Sequence, residues 1–132
     1  MNENEKTVVA FLRMMSERRS EDAFETFYHR DAEQVEYPNL VTKNVAIRTL
    51  GDLKAGSERG RKIMSKEDYE IKKLYSFDDT VILEAVWKGT LSIALGKLGP
   101  GDQMTAYFAQ FFEFKEGKIF RQRNYDCFEP LE

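Results

Sequence analysis

Between Lys118 and Phe128 the chain reads KIFRQRNYDCF, which spaces Gln122, Asn124 and Asp126 at alternate positions. Side chains alternate across a β-strand, so these three share one face. One acid beside two neutral amides is a set suited to general acid–base work. The carboxylate takes or gives a proton, while the amides hold a carbonyl or an enolate by hydrogen bonds. On an apolar cavity wall, lost hydration would raise the Asp126 pKa and make it a better base or acid near neutral pH. The other use open to Asp126, which stands near the strand's end, is an ordinary pairing with a neighbour or with solvent.

The element that must position this set is a hairpin. Glu116-Gly117 between two aromatic-rich runs is a turn signal, because Gly supplies the positive φ that a short loop needs. A three-residue loop, Lys115-Glu116-Gly117, pairs Phe114 with Lys118, Phe112 with Phe120, Gln110 with Gln122, Phe108 with Asn124 and Ala106 with Asp126. Together with Trp87 on the preceding strand, Phe108, Gln110 and Phe112 then wall a pocket that holds Gln122, Asn124 and Asp126. Apolar walls with a few neutral polar groups and one acid suit a small, mostly hydrophobic molecule. The opposite face carries Tyr107, Phe111, Glu113, Arg121, Arg123 and Tyr125, joined by Glu84, Val86 and Lys88. Glu113 lies diagonally from Arg121, within reach of its charge. So many rings on an outer face predict a homodimer through it; the alternative is an amphipathic face in solvent.

A second acid, Glu36, faces Asp126 across the pocket if Gln34 and Glu36 point inward, and two close carboxylates push their pKa values apart. Otherwise Glu36 is a solvent-facing residue of an edge strand. Tyr37 is open in the same way, either a hydrogen-bond donor to the ligand or a ring packed in the sheet. His29, the only histidine, reads as an exposed residue at a helix C-terminus, where it suits the dipole. One histidine and a distant Cys127 make no familiar zinc set, so no metal is expected. Cys127 falls on the face opposite Asp126 and reads as a structural thiol. The stretch from Gly56 to Lys62 has glycines and positive charge but no P-loop pattern, and reads as a solvated loop. No cofactor motif is present.

Stepping along the chain, Val8, Phe11, Leu12 and Met15 recur at helical spacing and predict a first helix from Glu3 to Glu17. Ser20 is a good N-cap, followed by Glu21 and Asp22, for a second helix whose buried stripe is Ala23, Phe24, Phe27 and Tyr28 and which ends near His29. Asp31–Tyr37 reads as a short strand stopped by Pro38. Asn44 caps a third helix with Ile47, Leu50 and Leu53 on its apolar side, weakened later by Gly51, Gly56 and Gly60. From Ser65 the period changes to two, with strands at Lys66–Tyr75, Thr80–Ile93, Gln103–Phe114 and Lys118–Phe128. Helices followed by a curved antiparallel sheet define an α+β domain.

Composition sets the remaining limits. The chain has 132 residues, enough for one domain, residues 1–132, that buries roughly two-thirds of its unfolded surface. A net charge of −3 and a pI near 5.4 leave no electrostatic footprint for nucleic acid or an anionic membrane. No apolar run approaches a membrane span. The start MNENEKTVV lacks the basic and apolar regions of a secretion signal, and a single cysteine fits a reducing compartment, so a cytoplasmic location is expected.

Three features carry a family resemblance: Asp31-Ala32 after the second helix, the strand ending Val35-Glu36-Tyr37-Pro38, and the final EGKIFRQRNYDCFEP. With the order helix, helix, strand, helix, sheet they resemble the SnoaL-like group of the nuclear-transport-factor-2-like superfamily. The resemblance implies a cone-shaped sheet wrapped around a long helix and enclosing a pocket, with back-to-back dimers common. Relatives include polyketide cyclases, ketosteroid isomerases, limonene epoxide hydrolases, dehydratases and noncatalytic binders, so fold alone does not assign activity. Epoxide hydrolases of this kind carry a last strand like WRDYFD, and Gln122, Asn124 and Asp126 stand where its Trp, first Asp and Phe point inward. Ala85 and Trp87 replace the Arg and Asp of the partner strand. Steroid isomerases place their basic Asp just before the proline, where this chain has Tyr37. Neither catalytic set is present, and Asp126 is left as the candidate catalytic acid. The classes that stay open are an acid–base enzyme of isomerase, cyclase or lyase type, a noncatalytic binder of hydrophobic ligands, and a protein-interaction module.

Overall fold

The computed structural model describes residues 1–18 and 23–132. Helix α1 (Glu3–Ser16) begins with a capping box in which the Asn2 side chain accepts from the Glu5 amide and Glu5 returns the bond. That reciprocal pair satisfies two of the donors a helix start leaves open. The helix buries Val8, Phe11, Leu12 and Met14. Helix α2 is only Phe24–Phe27, and strand β1 starts at Tyr28 and runs to Glu36. The predicted second helix is thus cut short, and its Ser20 cap with Glu21 and Asp22 lies outside the described residues.

His29 is corrected with it. It is buried in β1, meets the Phe120 ring edge-on at 5.2 Å and accepts the Asp31 amide proton at Nδ1. Asn44 caps nothing: strand β2 (Ala46–Thr49) comes first, and Thr49 with Asp52 forms the capping box of α3 (Leu50–Ile63). Ile47 consequently lies in a strand, exposed. The Gly56–Lys62 stretch is helix rather than loop.

Strands β3 (Met64–Phe77), β4 (Thr80–Leu91), β5 (Gln103–Lys115) and β6 (Lys118–Phe128) follow. The six strands form one sheet in the order β2-β1-β6-β5-β4-β3. Its first and last strands are not paired with each other, so the sheet is curved but not closed into a barrel. It is mixed rather than wholly antiparallel, because β1 runs parallel to β6. The α+β architecture stands. Helix α1 packs against β3 and β4, and α3 against β1, β2 and β3. The main core joins α1, α2 and the sheet through Phe11, Phe24, Tyr28, Leu83 and Phe112.

The β5–β6 hairpin corrects the predicted register. Glu116 and Gly117 both have positive φ, 55° and 75°, the pattern of a two-residue type I′ turn. Lys115 therefore pairs with Lys118, and a bulge follows between Glu113 and Phe114 and their partners. Beyond it Phe112 pairs with Gln122, Gln110 with Asn124 and Phe108 with Asp126. Relative to the expected pairing this is a slip of two positions, which preserves the face of every residue past the bulge. Phe120 pays no part in the inner wall: the bulge turns it outward beneath the Arg121 guanidinium, and Ile119 is buried instead.

Candidate functional site

Behind the concave face lies a cavity of about 210 Å³, lined by Phe11, Leu12 and Met15 of α1 and by sheet residues including Trp87, Phe108, Gln110, Gln122, Asn124 and Asp126. Its wall continues through Gln34, Glu36 and Glu67 into an outer chamber of about 370 Å³, whose far side is α3 and the Val41–Thr42 loop. Trp87 and Phe108 stack at 5.9 Å, and Phe128 meets Trp87 edge-on. The indole can fold back along its own strand only because the next inward position is Gly89. A Cβ there would come within 2.5 Å of the Trp87 ring.

Of the residues singled out in the sequence, the fold brings Gln122, Asn124, Asp126, Gln110, Trp87, Phe108 and Glu36 to this cavity. Two expectations are corrected. Phe112 is fully buried in the core and lines no part of the cavity. Tyr37 stacks on Tyr125 with ring centroids 4.7 Å apart, on the opposite side of the sheet, so it packs rather than contacts a ligand.

Asp126 is half-buried, and Gln110 Nε2 donates to both of its carboxylate oxygens at 3.3 Å. Loss of hydration pushes its pKa up from 3.8 to about 7; the Gln110 bond opposes this, and the negative charge of Glu36 adds to it. A group with that pKa populates both protonation states near neutral pH.

Much of the remaining polar lining is engaged. Arg48 Nη1 donates to Glu36 at 2.6 Å and to Gln34 Oε1 at 3.3 Å, and Asn39 Nδ2 donates to the other Glu36 oxygen at 2.8 Å. Glu67 accepts from the Trp87 indole N–H at 3.0 Å and from Arg18 at 3.2 Å. Burial still raises its pKa against those two donors. Tyr28, wholly buried, donates its hydroxyl to Gln122 Oε1, and burial holds the phenol protonated. Gln122 Nε2 in turn donates to Asn124 Oδ1 at 2.8 Å. Both ends of the Gln122 amide are thus taken up inside the protein, whereas among the described residues no acceptor meets the Asn124 NH₂.

Arg48, Glu67 and Tyr28 were not recognised in the sequence. Glu67 carried a usable signal, since it shares strand parity with Tyr69 and Ile71 and is an acid on an apolar face. Among the described residues, no group of three His, Cys, Asp or Glu side chains is placed to hold a metal ion.

Residues 8–122 match the SnoaL-like domain. The chain belongs to the SnoaL-like family. The match stops at Gln122, before Asn124 and Asp126, so it covers the SnoaL-like scaffold and not the acid itself. Among solved structures, IdmH of Streptomyces antibioticus, a candidate polyketide cyclase, superposes with a TM-score of 0.79 at 12% identity, covering 95% of this chain and 92% of that one. A SnoaL-like polyketide cyclase of Agrobacterium tumefaciens gives 0.71 at 14% identity, covering 96% and 92%. A protein of Catenulispora acidiphila with a ketosteroid isomerase-like fold, in complex with trimethylamine, gives 0.72 at 18% identity, covering 90% and 83%. At such identities the likeness shows the nuclear-transport-factor-2-like fold and no more. No curated protein matches the chain in sequence.

Proposed function

We propose that this SnoaL-like chain binds a small, mostly apolar carbonyl compound and transfers a proton next to the carbonyl, with Asp126 as the base. The observation that carries the reading is the Asp126 carboxylate itself, half-buried on a wall of aromatic rings, steadied by Gln110 and brought to a pKa of about 7. Trp87, Phe108 and Phe128 supply flat apolar surface for a ring. Asn124 supplies a neutral donor for the carbonyl oxygen, on which charge develops as the proton leaves. Isomerisation, cyclisation and hydration of such a compound can each begin with this step.

The test needs no knowledge of the natural substrate. In D₂O, the α-protons of 2-tetralone exchange for deuterium at a rate that NMR follows. The protein should accelerate that exchange, with a rate that rises with pH and levels off above about 7. Asp126→Asn should lose on the order of 10²–10⁴-fold of it. Equal exchange in wild type and variant would end the case for Asp126.

A second reading, ligand capture without turnover, is favoured by one observation. Glu36 and Glu67, the other carboxylates that line the cavity among the described residues, are both held in ion pairs with arginines, so neither is free to return the proton that Asp126 takes. Tight binding of 2-tetralone with no accelerated exchange would select it. The outer sheet face, with exposed Tyr107 and Tyr125, is proposed to pair two copies back to back, and a monomer by light scattering at micromolar concentration would refute that. A cytoplasmic location belongs to the same proposal; among the described residues no helix is long and apolar enough to cross a membrane.

A further inference from the structure

The polar side chains behind the cavity form a line in which each hydrogen bond dictates the next. It begins at Arg48, a guanidinium that can donate but never accept. Its contact with Gln34 at 3.3 Å therefore requires that Gln34 present its carbonyl oxygen. The Gln34 NH₂ is then left on the Tyr28 side, where it opposes the rise in the phenol's pKa that burial causes. With that NH₂ beside its oxygen, the phenol sends its single proton to Gln122, which must present Oε1. The Gln122 NH₂ consequently faces Asn124, which must present Oδ1. One group remains, the Asn124 NH₂, and no acceptor meets it among the described residues. Asn124 stands in register with Gln110 on one side and Glu36 on the other, at the cavity wall beside Asp126.

An isolated asparagine offers a ligand either its oxygen or its nitrogen by turning over. Here the turn is blocked at every link, since reversing one amide would set donor against donor or oxygen against oxygen along the buried line. We infer that Arg48 and Tyr28 are positioning residues that fix the Asn124 amide with its NH₂ toward the cavity, so that the site selects ligands presenting a hydrogen-bond acceptor at that point. Neither residue touches the ligand through this line; each acts through the amides between. The inference rests on the cavity being a carbonyl-compound site, and it specifies which wall the carbonyl oxygen meets.

Two shape-matched probes separate polarity from fit: 2-acetylnaphthalene, with a carbonyl oxygen, and 2-isopropenylnaphthalene, with a methylene in its place. Wild type should prefer the ketone by about ten-fold, the size of one good hydrogen bond, and the bound ketone's infrared C=O stretch should fall relative to hexane. Tyr28→Phe keeps the buried ring and removes the link; Arg48→Met removes the anchor from a less buried position. In both, the preference should shrink toward parity and the stretch return upward, while affinity for the hydrocarbon stays unchanged. Preference and frequency unaltered in both variants would overturn the inference.

If neither probe binds, the cavity reading fails, and the orientation is still decided in the ligand-free protein. The Gln122 NH₂ protons should exchange slowly with solvent by NMR and those of Asn124 quickly, with Gln122 protection lost in Tyr28→Phe. The reverse order in wild type would show the line runs the other way and sink the proposal.

Discussion

On the inner face of β6, Asp126 meets Gln110 and a cavity walled by aromatic rings. At neighbouring positions on the outer face, Arg123 and Tyr125 meet Glu113, Phe111 and Tyr37. Both faces mix acids, polar groups and rings, and both were drawn from the same short stretch of chain. What separates them is access to water. Inside, the carboxylate has a single amide for company and its pKa climbs; outside, Glu113 holds a guanidinium in solvent and the Arg123 pKa rises through that bond. The same residue types thus give a carboxyl with a raised pKa on one face and an ordinary ion pair on the other.

The largest expected contrast is in packing. Phe112→Ala, at a position with no exposed surface, should cost about 3–5 kcal/mol in denaturant unfolding, as truncation of a buried aromatic does. Tyr107→Ala, at a ring 48% exposed, should stay within about 0.5–1 kcal/mol for a face open to solvent. A Tyr107 cost near that of Phe112 would break the contrast, and would mean that the outer face is covered by a second copy in solution.

The next contrast is electrostatic. Asp126 has a folded-state pKa of about 7 against 3.8 for the ordinary carboxyl. Between those values the folded protein holds a proton that the unfolded chain has released, so stability falls as pH rises from about 4 to about 7. The contribution is fully present below the lower value and lost above the upper one, on the order of 4 kcal/mol in all at about 1.36 kcal/mol per pKa unit. Subtracting the Asp126→Asn unfolding profile from that of wild type should isolate this slope. A flat difference across that window would show that Asp126 is solvated like an outer-face acid.

The inner face was legible in the sequence because alternation survives an error in register. The loop was misjudged by one residue and a bulge at Phe120 added another, and the two together returned Gln122, Asn124 and Asp126 to the same side. Phe120 itself, at the bulge, was lost. The N-terminal half was less legible. Tyr28 looked like the end of an amphipathic helix, because Phe24, Phe27 and Tyr28 fit helical spacing as well as a turn of helix entering a strand. Arg48 was hidden by an inverted pattern: in β2 the exposed residue is Ile47 and the inward one is the arginine. Hydrophobic periodicity cannot find a strand whose inner face is polar, and that is the strand that anchors the amide line.

The smallest expected effect tests the outer face alone. Arg123 and Glu113 are joined by a hydrogen-bonded ion pair with side chains 34% and 44% exposed. Coulomb attraction at such exposure is screened by water and salt, and ordering two long side chains offsets much of what remains. A double-mutant cycle of Arg123→Gln and Glu113→Gln should therefore return a coupling within about 1 kcal/mol, shrinking further as salt is raised. A coupling several times larger that persists in high salt would place the pair in a dry environment. That environment is absent from a single copy of the chain, so the result would point to burial of this face between two copies and would erase the difference between the faces.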